Sequence, residues 1–154
     1  MQKISTSRLS VLAALAIFAV TSAWAQKAMK KDAVIWPAED IKWVAAPDAP
    51  GVMYADLWGH MEKGAYAAFV KIPAAVKFPL HTHSADLKAV VVSGIFIYTP
   101  EGGTEKKLGA GSYMFIPGGL KHTSAVAEGA PCILFQEGSS KFDLKPVGAE
   151  KEKK

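Results

Sequence analysis

The sequence predicts an all-β fold, a small antiparallel sandwich or barrel, and three observations lead to it. Beyond residue 35 the chain contains short runs rich in Val, Ile, Phe, Tyr and Trp. Gly and Pro separate these runs at short spacing, and no amphipathic helix of convincing length interrupts them. Many short strands joined by turn residues are typical of a sandwich or a barrel.

The runs that read as strands mostly end at a residue that breaks a strand. Gly59 closes the second run and Pro73 the third, while Gly94 interrupts the strongest one. Residues 100–103, Pro-Glu-Gly-Gly, form a predicted turn. The last run is predicted as an edge strand. The predicted strands are residues 41–44, 52–58, 65–72, 78–83, 89–98, 112–116, 122–126, 132–137 and 142–147.

Residues 1–25 have the three parts of a secretory signal peptide. Lys3 and Arg8 give a basic start, residues 9–20 form an apolar run, and Ala23 and Ala25 supply the small residues of a cleavage site. The run is shorter than the roughly 20 apolar residues that a membrane span needs. We therefore expect an exported protein without membrane contact after cleavage, periplasmic if the host has two membranes and secreted otherwise. An uncleaved anchor or a core helix is the alternative.

Cleavage after Ala25 would leave 129 of the 154 residues, enough for one domain with its own core. We divide this part into a flexible lead-in at residues 26–35, a barrel domain at 36–148 and a charged tail at 149–154. The mature chain carries 16 Lys or Arg against 14 Asp or Glu and has no basic stripe, so nucleic acid is not an expected partner. Cys132 lies in an apolar run, which favours a buried small hydrophobe over a thiol that faces a pocket.

Three of the four histidines form a pattern suited to binding a metal ion. His81 and His83 are two residues apart, so on a strand their side chains point to the same face. His122 follows a Pro/Gly turn that can place it at the start of another inward-facing strand. Imidazole nitrogens suit one divalent transition metal, namely Fe, Zn, Cu or Ni. The fourth, His60, is expected in a turn.

The same residues resemble the cupin family, whose double-stranded β-helix is a jelly-roll-like barrel with two short motifs. The second motif, Gly-x5-Pro-x-Gly-x2-His, is met by Gly111, Pro117, Gly119 and His122. His81-Thr-His83 followed by Gly94 meets most of the first. The resemblance implies a cupin domain over residues 36–148, a small-molecule pocket and compatibility with a homodimer. The second half also resembles a group of exported bacterial single-domain cupins, a likeness that supplies no activity.

This chain departs from the family pattern at three positions. The acidic metal ligand of the first motif falls on Leu87, the Gly that opens that motif is Ala75, and the Asn that ends the second is Val126. Asp86 flanks Leu87, and a β-bulge could bring it into the site. Otherwise the metal would be held by His81, His83 and His122 alone, a ligand type that some cupin oxygenases share. Lys88 and Gln136 could reach the pocket mouth, although solvated or hydrogen-bonded strand positions are the more frequent role.

Three functions are compatible with this sequence. The first is an exported cupin that binds one metal through three His and a small molecule without turnover. The second is a metal-dependent enzyme, foremost a three-His oxygenase acting on a small substrate, because open metal positions are what metal catalysis requires. The third is a metal-free ligand-binding barrel. One barrel supports many reactions, so the sequence leaves enzymatic activity open.

Overall fold

A computed structural model describes residues 32–148 of the chain. The predicted signal peptide, the charged tail and most of the lead-in lie outside these residues. A short 3₁₀ helix, Ala38–Asp40, precedes eleven strands in the described part. The strands are β1 Val44–Ala45, β2 Met53–Gly59, β3 Tyr66–Ile72, β4 Lys77–Thr82, β5 Leu87–Ser93, β6 Phe96–Pro100, β7 Lys106–Leu108, β8 Tyr113–Ile116, β9 His122–Val126, β10 Cys132–Gly138 and β11 Lys145–Pro146.

The strands form two antiparallel sheets, which confirms the predicted all-β barrel. One sheet has the order β1-β2-β3-β10-β5-β8, and the other has the order β11-β4-β9-β6-β7. Consecutive strands often lie in different sheets, as in a jelly roll. Within residues 32–148, no helix is long and apolar enough to cross a membrane.

Alternation along the strands separates an inner face from an outer face. In β9, His122, Ser124 and Val126 are buried while the residues between them are partly exposed. In β10, Cys132, Leu134 and Gln136 follow the same pattern. The period of two therefore sends a mixture of apolar and polar side chains into the barrel.

The predicted strand at residues 89–98 is wrong in one respect, because it is two strands in different sheets. β5 ends at Ser93 and β6 begins at Phe96, and Gly94 between them has a φ of 78°. A Cβ atom on Gly94 would lie 2.5 Å from the carbonyl oxygen of Pro131. Glycine is therefore required where the chain passes from one sheet to the other.

The remaining differences concern the edges of the sheets. β7 is a short edge strand whose sequence, Lys-Lys-Leu, lacks the apolar alternation that marks the other strands. The predicted edge strand at residues 142–147 is reduced to β11, and the one at 41–44 shifts to β1. Charged, very short edge strands are common because they resist pairing with other chains.

The inner faces of the two sheets enclose a cavity of about 760 Å³. Its wall is formed largely by the buried apolar side chains that would otherwise make up a solid core. Cavities of this size lie within the range of small-molecule sites. Cys132 is fully buried and does not line the cavity, in agreement with its predicted role as a small hydrophobe.

Candidate metal centre

His81, His83 and His122 come together at one end of the cavity. His81 lies on β4 and is the direct cross-strand partner of His122, the first residue of β9. His83 follows one residue after the end of β4, on the same face as His81. All three histidines are therefore carried by the five-stranded sheet or by the residue next to it.

The three imidazoles are close and buried. Their ring centroids are 4.2 Å apart for His81 and His122, 5.1 Å for His81 and His83, and 5.2 Å for His83 and His122. One ring nitrogen from each lies within 4.8 Å of the others. Their exposed fractions are 1%, 7% and 1% in chain order. Side chains 41 residues apart in sequence thus meet as the motif spacing predicts.

Each imidazole is oriented by a backbone carbonyl. The Nδ1 atom of His81 lies 2.7 Å from the carbonyl oxygen of Pro79, and that of His122 lies 3.0 Å from the one of Leu120. The Nδ1 atom of His83 lies 2.6 Å from the carbonyl oxygen of Asp143. A carbonyl oxygen can only accept, so each Nδ1 carries the proton and donates it. In the neutral ring, Nε2 then keeps a free lone pair.

Burial keeps the three rings neutral. It lowers the pKa of His81 and of His83, although hydrogen bonds to backbone carbonyls oppose the shift in both. The pKa of His122 falls to about 4, mainly through burial and to a smaller extent through the neighbouring histidines. Neutral imidazole is the form that ligates a metal.

This donor set fits a transition metal ion. Metal-binding histidines usually have this arrangement, in which one nitrogen of each neutral imidazole is free and the other donates to a carbonyl. Zn, Cu, Fe and Ni all accept imidazole, whereas Mg and Ca prefer oxygen ligands. Three protein ligands also leave positions open for water or a small molecule.

No carboxylate joins the histidines in the described part of the chain. The side chain of Asp86 is exposed, and its carboxylate accepts a hydrogen bond of 2.9 Å from the backbone N–H of Gly118. Leu87 is buried and lines the cavity together with His83. The alternative in which Asp86 enters the site is therefore wrong, because its carboxylate holds the turn before β9 instead.

The Pro/Gly turn before His122 packs directly on the turn after His83. The N–H of Gly119 donates to the carbonyl oxygen of His83 at 2.8 Å. A Cβ atom on Gly118 would lie 2.8 Å from the carbonyl oxygen of Ser84. The close contact explains Gly118, while Gly119 has a positive φ of 80° that favours glycine. The two contacts together fix the positions of His83 and His122 relative to each other.

The sequence marks neither Phe142 nor Asp143 as part of the site, whereas it allows Gln136 to reach the pocket. Phe142 packs against His83 with ring centroids 5.1 Å apart, and Asp143 accepts the proton of the same imidazole. Gln136 is buried in the cavity and its amide donates to the hydroxyl of Tyr66. Gln136 thus lines the cavity and is also hydrogen-bonded, the two roles that the sequence allowed for it.

Lys88 and His60 are both exposed and lie outside the site. Lys88 lies on the exposed outer face of β5 and does not reach the cavity. His60 is exposed after the end of β2, and its Nδ1 lies 3.4 Å from a carboxylate oxygen of Asp56. His60 therefore lies in the connection between β2 and β3, as predicted.

Comparison with known proteins places these features in context. A family model described as the ChrR cupin-like domain matches residues 31–140. No curated protein matches the sequence. Among solved structures, the polyketide cyclase RemF from Streptomyces resistomycificus is 18% identical, with a TM-score of 0.62 over 78% of this chain and 89% of that one.

Two further structures show the range of proteins with this fold. The DMSP lyase DddQ from Ruegeria pomeroyi is 20% identical, with a TM-score of 0.55 over 74% of this chain and 64% of that one. A chain of the complex between SigE of Rhodobacter sphaeroides and the anti-sigma ChrR is 27% identical, with a TM-score of 0.52. That match covers 66% of this chain and 51% of the other, about half its length.

Proposed function

The chain belongs to the cupin superfamily, in the family of ChrR-like cupin domains, and on that premise we propose that it is an exported protein that binds one divalent transition metal and a small molecule. His81, His83 and His122 would hold the metal, and the cavity between the sheets would hold the small molecule. Fe, Zn, Cu and Ni are the candidate ions.

The observation that carries this proposal is the common orientation of the three imidazoles. Each donates its Nδ1 proton to a backbone carbonyl, which leaves Nε2 as the free nitrogen. Histidines that only filled a pocket would have no reason to share one tautomer in a buried cluster where a ring nitrogen of each lies within 4.8 Å of the others.

The residues around the cluster would have separate tasks in binding. The carbonyls of Pro79, Leu120 and Asp143 fix the rotation of the rings, and Phe142 shields His83 from solvent. The apolar wall excludes water from the small molecule. A metal held there would polarise an oxygen atom of the bound molecule as a Lewis acid.

Elemental analysis of the protein purified from its native host tests the metal. We expect near-stoichiometric Fe, Zn, Cu or Ni in the wild type and none in the His81→Ala, His83→Ala, His122→Ala triple variant. The matched control is His60→Ala, which removes an exposed imidazole outside the cluster and should keep the metal. Absence of metal from the wild type would overturn the proposal and leave a metal-free binding barrel.

An enzyme is the second candidate, favoured by the cavity that adjoins the open side of the histidine cluster. A three-His oxygenase acting on a small substrate is its foremost form. Solved neighbours of this fold include a cyclase and a lyase, which supports other reactions on the same barrel. Oxygen consumption by the metal-loaded protein with thiols, phenols and small acids tests the oxygenase, and His122→Ala should abolish any turnover.

Export rests on the sequence of residues 1–25 alone. We expect the mature protein to begin after Ala25 and to occur outside the cytoplasm, in the periplasm of a host with two membranes. Amino-terminal sequencing of the native protein tests this. A protein that retains residue 1 in the cytoplasmic fraction would contradict export without affecting the metal proposal.

We also propose a homodimer through the outer face of the six-stranded sheet. Phe69, Phe135, Val90 and Tyr113 form one row of cross-strand partners there, and Tyr113 is 61% exposed. In the next row Lys88 pairs with Glu137, so a two-fold axis could place opposite charges across the interface. We expect light scattering to give a dimer mass that Tyr113→Asp reduces to a monomer mass, and a wild-type monomer would refute the interface.

A further inference from the structure

The buried part of the cavity wall carries no charged side chain. Apart from the three histidines, every buried residue that lines it is apolar except Ser124 and Gln136. The charged lining residues Asp48, Glu62, Lys77 and Lys141 are all exposed. Asp143 is half-buried, and its carboxylate is already hydrogen-bonded to the backbone N–H and the hydroxyl of Ser84.

A metal ion bound to the three histidines would find no buried acidic side chain in the described part of this wall. Neutral imidazoles bring no negative charge, so a divalent ion on His81, His83 and His122 would keep its full charge in an apolar surrounding. An uncompensated buried charge is costly, and its attraction for an opposite charge is stronger than in water. Leu87 is apolar and cannot compensate the ion, and the carboxylate of Asp143 is already engaged by Ser84.

We propose that the small molecule is an amphipathic anion. Its anionic oxygen group, such as a carboxylate, would lie on the metal and offset part of the ion's charge, while its apolar body fills the cavity. This inference rests on the metal site proposed above. It deepens that proposal by naming the chemical class of the ligand.

Both parts of the ligand follow from the lining. A cavity of about 760 Å³ with a largely apolar wall favours an apolar body of drug-like size. A second anionic group remote from the metal would find no buried Lys or Arg in the described lining, which disfavours dicarboxylates. The amide of Gln136 is engaged with Tyr66, so it adds no charge-neutralising group.

The test compares a carboxylate with its neutral amide. The chain is purified, its metal is removed, and calorimetry follows 4-phenylbutyrate and 4-phenylbutyramide with zinc-loaded and with metal-free protein. We expect zinc-loaded protein to bind the carboxylate about tenfold more tightly or better, which corresponds to about 1.4 kcal/mol. The preference should disappear without zinc.

A pair of variants at Leu87 provides the internal control. Leu87→Glu places a carboxylate on the wall beside His83, so we expect it to retain zinc and lose most of the preference for the anionic probe. Leu87→Gln adds the same polarity and volume without charge, and should change the affinity for both probes by a similar factor.

The outcomes separate the two proposals. If zinc binds stoichiometrically but the amide binds as tightly as the carboxylate, the anionic ligand is wrong and the metal site stands. If the wild type binds no zinc, the metal site itself fails and this inference falls with it. If a Leu87 variant does not fold, the comparison of the two probes on the wild type still decides.

Discussion

The imidazole Nδ1 of His83 donates to the backbone carbonyl of Asp143, which lies sixty residues further along the chain, over a distance of 2.6 Å. The carboxylate of the same Asp143 accepts the N–H of Ser84 at 2.7 Å and its hydroxyl at 2.6 Å. Lys145 lies 3.5 Å from this carboxylate. The segment before β11 is therefore tied to the turn after His83 by both its backbone and its side chain.

Removal of this carboxylate should weaken metal binding. In Asp143→Ala, Ser84 loses both of its acceptors, so the carbonyl that orients His83 is held less firmly. Groups that orient metal ligands typically contribute about 10- to 100-fold to affinity, and we expect a loss of about tenfold for zinc. Competition with a chromophoric chelator measures it, and Glu105→Ala, an exposed carboxylate, is the control. Equal zinc affinity in both variants would show that the carboxylate does not position His83.

The metal-free protein should lose stability in mild acid. The pKa of His122 is about 4 in the fold, against 6.5 without the influence of the fold. Between these values the unfolded chain binds more protons, so this contribution to stability is complete above pH 6.5 and is lost as the pH falls towards about 4. Urea unfolding midpoints across this range should fall more steeply for the wild type than for the triple Ala variant. Parallel curves would contradict a neutral buried cluster.

Replacing Ala75 by glycine should stabilise the protein. It is the one non-glycine residue with a positive φ, 62°, in residues 32–148. This conformation destabilises the fold by about 1–2 kcal/mol for an L-residue. Glycine avoids that strain but lowers the free energy of unfolding by about 0.4–1 kcal/mol, because it makes the unfolded chain more flexible. We expect Ala75→Gly to raise the free energy of unfolding by about 0.5 kcal/mol. Ala74→Gly, at a neighbour without positive φ, should lower it; stabilisation by both or by neither would refute the strain.

Gly94 should tolerate no side chain. Gly94→Ala combines a positive φ with a contact of 2.5 Å to the carbonyl oxygen of Pro131. We expect the free energy of unfolding to fall by about 2 kcal/mol or more. Gly102→Ala has a similar φ of 68° without any atom near the new Cβ, so it isolates the backbone strain. Equal losses in the two variants would mean that the close approach to Pro131 costs nothing.

The sequence predicts the site better than it predicts the edges of the fold. His81 and His83 share a face because alternation is a local property, and the spacing from Gly111 to His122 places the third histidine. β7 cannot be predicted from the sequence because its lysines give no apolar alternation. The passage of the chain between the sheets at Gly94 cannot be predicted either, because it depends on a contact with Pro131, which is distant in sequence.

The contact from Asp143 to His83 could not be predicted, since no local pattern links residues sixty positions apart. The position of Asp86 does not follow from the sequence either. A regular strand would turn the side chain of Asp86 away from the face of His81 and His83. Only the fold shows that its carboxylate accepts the N–H of Gly118.

All three histidines belong to one sheet and its border, while Leu87 and Gln136 face them from the other sheet. A metal bound as proposed would therefore not link the two sheets to each other. Small changes in their separation could widen or narrow the binding space while the coordination remains intact. The two walls could also diversify independently in evolution: β5, β8 and β10 could acquire new preferences for a ligand without any cost to metal retention on β4 and β9.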